Sequence, residues 1–330
     1  MIIDCHVHVV ATTPGHGSLS RRLLKKRALR FIRRRLGLTG DDGEPLERGA
    51  EAKLVETIDG AEMLDAVVVL AFDAVHDRDG KLDRDNTHLY VTNDYVWELA
   101  QRHPKVLFGA SVHPYRNDAV AELERCVARG AVLVKWLPIV QNFNPADGRC
   151  LPFYEALAHH RIPLLAHTGG EQSLPTLDRS VADPALLVPA LRAGVTVIAC
   201  HCGTRARPFE RDYTPTFMRM AHEYEHLYGD TAALNLPMRS YAYKSILEDP
   251  VVRAKLVHGS DWPIISIPPR RIGWLKALRL FGEQNWMRRD VLAKQQLGLE
   301  EAYWHRAGTL LRLAAGASVT SGQGSGGPSA

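Results

Sequence analysis

Residues 163–201 read PLLAHTGGEQSLPTLDRSVADPALLVPALRAGVTVIACH and contain one full beat of the rhythm that runs through the chain. A short apolar run (163–168) ends in His-Thr before two glycines, an amphipathic stretch of helical period follows (183–193), and a β-branched run (195–201) closes the unit. Moving outward, the strand signal recurs at 2–9, 66–72, 106–112 and 131–137, then at 227–232 and 255–260. Helix-like segments lie between the strands at 87–102, 117–129, 152–160 and 285–297. From the third strand onward the spacing is about 25–35 residues, the length of one strand–helix unit.

Eight such strands alternating with helices predict a parallel sheet, and eight is the number that closes a (β/α)₈ TIM barrel. An open doubly wound sheet is the structural alternative, but no glycine-rich phosphate turn follows the first strand. Two segments fall outside the rhythm. Residues 10–50 form a basic, partly helical insertion after the first strand, and residues 315–330 form a Gly/Ser-rich tail expected to be disordered. The expectation is a single domain over residues 1–314.

The composition suits a globular protein with a large core: 45% of the 330 residues are hydrophobic and 24% charged. No apolar run is long enough to span a bilayer, and the start, MIIDCHVHVV, lacks the features of a signal peptide. Five cysteines, an odd number in a long chain, argue against a disulfide framework, so a cytoplasmic setting is expected. The net charge of +4 conceals an asymmetry, because residues 21–35 carry nine Lys or Arg and no acid. A nucleic-acid surface over the whole protein is therefore not implied.

The first strand carries Asp4, His6 and His8 at alternate positions, which strict alternation places on one face, with Cys5 and Val7 on the other. Histidines about 7 Å apart along a strand can converge on one divalent ion. Four other strands end in a polar residue after an apolar run: Lys135, His167, His201 and Asp261. All fall where barrel enzymes place their chemistry, the C-terminal rim. A buried Lys or Asp is costly unless paired or bound to metal, so the set predicts a metal site.

In this order, Asp4-Cys5-His6-Val7-His8, Lys135, His167-Thr168-Gly169, His201-Cys202-Gly203 and Gly259-Ser260-Asp261-Trp262-Pro263 resemble the amidohydrolase superfamily. The branch they resemble is the amidohydrolase-2 group, which includes amino-carboxymuconate-semialdehyde decarboxylase. The resemblance implies that His6, His8, His167 and Asp261 ligate one divalent metal, most readily Zn²⁺, with His201 as an acid/base or electrophilic group beside it. In other branches a lysine at the position of Lys135 is carboxylated and bridges two metals; unmodified, Lys135 has no lone pair and would bind an anionic substrate group or pair with Asp261. The implied reaction is hydrolysis of a C–N or C–O bond (amide, lactone or ester) in a small polar substrate, with Asp261, His201 and Lys135 as catalytic groups. Non-oxidative decarboxylation or hydration on the same site is the alternative, and the resemblance also implies a homodimer.

Other features compete for a role. Residues 222–226, His-Glu-Tyr-Glu-His, match the H-E-x-x-H zinc-protease pattern, with a solvated helix surface as the plain reading. Cys200 and Cys202 flank His201, and alternation would point both at the helices. His113, Glu171 and Asp230 are candidates for substrate contact, and Arg149, Arg179, Arg205 and Arg207 hint at a carboxylate-bearing substrate. The basic segment 21–35 has Leu24, Ala28, Phe31 and Ile32 at helical spacing. It can act as a lid over the site, contact an anionic membrane, join subunits or lie solvated; beginning beside the metal ligands favours the lid. A membrane-associated scaffold without activity is the reading from a different class.

Overall fold

The computed structural model describes residues 1–38 and 43–313; the expected tail, 315–330, lies outside the described residues. Its strands are β1 (Ile3–His8), β2 (Gly17–Leu19), β3 (Ala66–Leu70), β4 (Leu89–Val91), β5 (Val106–Ala110), β6 (Leu133–Trp136), β7 (Leu164–His167), β8 (Val197–Cys200), β9 (Leu227–Asp230) and β10 (Leu256–Val257). Its first helices are α1 (Arg21–Leu24), α2 (Arg27–Arg35), α3 (Glu44–Asp59), α4 (Asn93–Arg102), α5 (Ala119–Ala128), α6 (Pro138–Gln141) and α7 (Leu151–His160). They are followed by α8 (Val188–Arg192), α9 (Thr214–Glu223), α10 (Tyr243–Glu248), α11 (Pro250–Arg253), α12 (Trp274–Phe281), α13 (Trp286–Gln295) and α14 (Glu301–Leu310).

Eight strands form one parallel sheet in the order β1-β3-β5-β6-β7-β8-β9-β10, each pairing with the next strand of that series. The ring closes because the residues after β10 return to β1: Cys5 N–H donates to His258 O at 3.0 Å, Asp261 N–H to His6 O at 2.9 Å and His8 N–H to Trp262 O at 2.7 Å. All eight predicted strands are present, and the architecture is the TIM barrel. The strands are apolar on both faces because both are covered. Cys5, Val68, Leu70, Leu107, Leu133, Leu165 and Ile198 pack inside the barrel. Val67, Val69, Phe108, Val134, Trp136 and Ala166 pack outward with helix residues such as Leu54, Ile58, Val96 and Leu123.

Three local expectations need correction. In β1 the pairing with β3 slips between Asp4 and Val7: Asp4 lies opposite Val67 and Val7 opposite Val69, so three residue steps match two. This β-bulge breaks the alternation. Asp4 shares a side with the outward Val67 and accepts from Ser260 N–H at 2.9 Å, whereas Cys5 joins the inner cluster. The stretch predicted as helix from 87 instead gives β4, which pairs antiparallel with β2 from the insertion, and α4 starts at Asn93 behind a Thr92 cap. The 183–193 segment opens as a 3₁₀ turn at Pro184–Leu187 before α8.

The insertion is helical, as expected, in α1 and α2. Among the described residues no helix is long and apolar enough to cross a membrane.

Candidate metal centre

At the C-terminal mouth of the barrel the bulge in β1 decides the outcome. Having shifted parity, it turns His6 and His8 inward together, and their Nε2 atoms stand 3.1 Å apart. Asp261 Oδ1 lies 3.3 Å from each of them. These three ligand atoms all fall within 4.8 Å of one another.

The protonation pattern leaves lone pairs facing the gap. His6 Nδ1–H donates to Asp230 Oδ2 at 2.7 Å, which fixes the tautomer that leaves Nε2 unprotonated, an acceptor that Lys135 Nζ approaches at 3.0 Å. His201 Nδ1–H donates to Ala232 O at 2.8 Å, so its Nε2 is likewise an acceptor. Burial, reinforced by the charge of Lys135, holds His6 well below the usual imidazole range. Burial lowers His167 and His201 as well, helped by His201 on the first and by Arg239 on the second. Burial alone would raise Asp261, but His6 and His8 outweigh it and keep the carboxylate ionised.

His167 supplies the test of fit. It is 2% exposed, its Nε2 is buried with no hydrogen-bond partner, and its ring centroid lies 4.9 Å from that of His201. A buried ring nitrogen left bare is costly unless something outside the protein occupies it. Three imidazole nitrogens and a carboxylate on one cavity wall are a donor set suited to a divalent transition metal. His201 and Asp261 also adopt left-handed backbone, φ +59° and +66°, a strain that gathers at functional positions. Gly169, at φ +78°, lets the loop after His167 pass under Thr204: a Cβ there would sit 2.3 Å from Thr204 O.

The other sequence candidates fall in different places. Lys135 is buried beneath the cluster rather than in the cavity wall, its Nζ 3.0 Å from His6 Nε2 and 3.0 Å from Cys200 Sγ. Cys200 therefore faces the interior, against expectation, because β8 ends there and His201 turns away into a 3₁₀ turn; only Cys202 packs outward. Asp230 is fully buried, and its two oxygens accept from His6 Nδ1–H and from the His201 N–H, both at 2.7 Å, so it braces the cluster from behind. His113 is fully buried away from the cavity, donating to Gln141 O at 2.8 Å and accepting from Tyr115 N–H, which leaves neither ring nitrogen for a substrate. Glu171 does line the cavity, while its carboxylate accepts from the Ser173 and Leu174 N–H groups.

None of Arg149, Arg179, Arg205 and Arg207 reaches this cavity: Arg149 pairs with Asp147, Arg179 and Arg207 approach Glu210, and Arg205 covers the Tyr241 ring. Sequence reasoning missed Arg239, which is 4% exposed beside the site and donates to Thr204 O, Thr204 Oγ1 and Gly170 O. A lone Arg in a loop carries no pattern that could have singled it out. The His-Glu-Tyr-Glu-His match fails as a zinc-protease motif. Helix α9 ends at Glu223, Tyr224 is extended, and His222 bonds Asp249, so the two histidines do not share a helical face.

The cavity above the cluster holds about 130 Å³ and is walled largely by apolar side chains. Its floor is His6, His8, His167, His201 and Asp261. Much of its roof is the insertion: Leu19, Leu23, Leu29, Ile32 and Leu36, together with Phe72 and Trp262. The insertion thus covers the site, with its apolar face inward.

Comparison with known proteins agrees with this architecture. The family model described as Amidohydrolase matches residues 3–294. An uncharacterised TIM-barrel protein of Bordetella bronchiseptica superposes with a TM-score of 0.58 at 17% identity, covering 90% of this chain and 99% of that one. A Pseudomonas putida protein provisionally assigned as a 2-pyrone-4,6-dicarboxylic acid hydrolase gives a TM-score of 0.56 at 15% identity, covering 94% and 97%. A dihydroxybenzoic acid decarboxylase from Polaromonas, solved with manganese and 2-nitroresorcinol, gives 0.54 at 16% identity, again covering 94% and 97%. No curated protein matches the chain significantly.

Proposed function

From the premise that the chain belongs to the amidohydrolase family, we propose that it is a metal-dependent hydrolase in which His6, His8 and Asp261, whose ligand atoms lie within 4.8 Å of one another, and His167 from the same cavity wall hold one divalent ion. The observation that carries this reading is the bare, buried His167 Nε2 on the same cavity wall as the His6–His8–Asp261 cluster. A metal bound there would supply Lewis acidity and a water acidic enough to react at neutral pH.

The chain's own groups would do the rest. Asp261, ionised and at the cavity floor, accepts the proton of the attacking water and returns it to the departing nitrogen or oxygen. His201 is neutral with Nδ1–H committed to Ala232 O, so it offers an acceptor and orients the water; it cannot donate to an oxyanion in that state. Lys135 lies below His6 and places positive charge under the floor rather than contacting substrate. We favour a single ion; Lys135 Nζ stands 3.0 Å from His6 Nε2 and would yield that lone pair to it. The cavity walls, apolar apart from the cluster, Arg33, Glu171 and Ser173, favour a substrate whose body is apolar, alkyl or aryl, rather than the small polar molecule that the resemblance implies.

The test is a metal analysis followed by a substrate screen. Zn, Mn or Fe near one per chain, falling with His6→Ala and His167→Ala, is the expected result. The metal-loaded protein should then hydrolyse lactones, esters or amides with apolar substituents. Release of CO₂ from aromatic or unsaturated carboxylic acids without any hydrolysis would move the assignment to the carboxy-lyases of the same fold. Metal-free protein whose stability is indifferent to added metal would remove the proposal.

A further inference from the structure

Helix α12 follows the eighth barrel strand and the turn that carries Asp261, and it is apolar on its solvent side. Trp274, Leu275, Leu278 and Phe281 are 73%, 55%, 63% and 48% exposed, whereas the helix packs inward through Ala277 and Leu280. At helical spacing the four exposed side chains form one contiguous stripe. Single exposed apolar residues are ordinary; a stripe of one Trp, two Leu and a Phe on one short helix is not.

The surroundings of the stripe are basic. Arg270, Arg271, Lys276 and Arg279 are all exposed on or beside α12; Arg271 pairs with Glu248 at 3.4 Å, and Glu283 beyond the helix end pairs with Arg288 at 3.0 Å. Across the cavity mouth lie α1 and α2, whose outer side exposes Arg21, Arg22, Lys25, Arg27, Arg30, Arg34 and Arg35 along with the half-exposed Phe31. The two regions are neighbours: Ile32 of α2 and Ile264, ahead of α12, line the same cavity. Arg35 also lies close to Arg289 of α13, the helix against which α12 packs.

We propose that this surface, the α12 stripe together with the basic outer face of α1–α2, docks on an anionic lipid bilayer. The charge selects the occupant. A second copy placed symmetrically on this face would bring two basic surfaces together, which is unfavourable. An anionic bilayer satisfies both features at once, taking Trp, Leu and Phe into its interface while its headgroups neutralise Lys and Arg. Docking is peripheral, since no described helix could span the membrane. It does not depend on the reaction assigned above.

The experiment is vesicle co-sedimentation of the full chain with two kinds of liposome, pure phosphatidylcholine and phosphatidylcholine carrying phosphatidylglycerol. Partitioning onto the anionic vesicles should exceed that onto the neutral ones by about tenfold or more, and should fall as salt is raised. Leu275→Asp/Leu278→Asp and, separately, Arg27→Glu/Arg30→Glu/Arg34→Glu should each lower it by about tenfold. These side chains are exposed, and circular dichroism checks that both variants fold. No binding by the parent protein, or binding that both variants retain, overturns the proposal. A parent protein that ignores vesicles but sediments as a dimer, split by Leu275→Asp/Leu278→Asp, overturns it too and makes the stripe a subunit contact.

Discussion

Asp230 has both carboxylate oxygens committed: Oδ2 accepts from His6 Nδ1–H, and Oδ1 accepts from the N–H groups of His201 and Ala232 at 2.7 and 3.1 Å. Replacing it with Asn offers His6 an amide that can hold the opposite tautomer, turning a protonated Nε2 toward the cluster. Asp230→Asn is therefore expected to weaken metal binding by about 10–100-fold, read by competition with a chelator; unchanged affinity in a folded variant would deny Asp230 this role. His113 gives a prediction in pH. Burial lowers it to about 3, while in the unfolded chain it titrates near 6.5. Below pH 6.5 the unfolded chain takes up a proton that the folded one refuses, so stability falls as pH drops from there toward 3. His113→Gln keeps a donor for Gln141 O but not the acceptor for Tyr115 N–H, and should cost about 1–3 kcal/mol at pH 7.5. That deficit should shrink on going to pH 5 in urea titrations, because the variant has no such proton to exclude.

The strands themselves were legible, since a sheet buried on both faces must be written in apolar, β-branched runs. The polar residues ending those runs were legible for the same reason, being expensive where they stand. What one sequence could not show is where the period of two breaks. Reading β1 as regular put Asp4 beside His6 and His8 and sent Cys5 outward, whereas the bulge does the reverse for both. Reading β8 through to His201 sent Cys200 toward the helices, although the strand had already ended. Bulges and 3₁₀ turns are set by the neighbouring strand and leave little trace in local composition. The ending of α9 at Glu223 was invisible for a similar reason, although the sequence already favours a solvated surface over the protease pattern. His222→Ala/His226→Ala should accordingly leave metal content unchanged and cost little stability, about 0.5 kcal/mol or less for each exposed side chain. The lid was inferred from its position beside the first ligands, but the apolar character of its inner face makes a sharper prediction. Ile32 lines the cavity from α2. Ile32→Ala should lower kcat/KM for a substrate with an apolar body by about 10-fold or more, with metal content unchanged; equal kcat/KM would mean that the lid does not touch substrate.

At the scale of the whole molecule, the ring is closed by the turn that also carries Asp261, so the integrity of the barrel and the geometry of the site are one problem. The seam between β10 and β1 is braced from outside by α13. Lys294 is fully buried and donates to Gly259 O at 2.7 Å and to Asp290, which in turn accepts from Asn235 at 2.7 Å and from Ser266 at 3.1 Å. One ammonium therefore ties α13 to the segment that precedes Asp261, and the segment after β9 is drawn in through Asn235. Lys294→Met removes the cation and strands a buried carboxylate, a change expected to cost about 3–5 kcal/mol in urea unfolding. The sign of its pH dependence can be worked out. Burial raises Asp290, and Lys294 opposes that rise, so without the lysine its folded pKa climbs further. A carboxyl raised in the folded state loses stability as pH rises above its unfolded value near 3.9, up to the folded one. The deficit of Lys294→Met should thus be smaller at pH 5 than at pH 8, and Asp290→Asn/Lys294→Met, with no charge left to bury, should recover part of it and flatten the dependence. If the single variant unfolds equally easily at both pH values, Asp290 is not the group left exposed to the cost, and the brace must act through Gly259 alone.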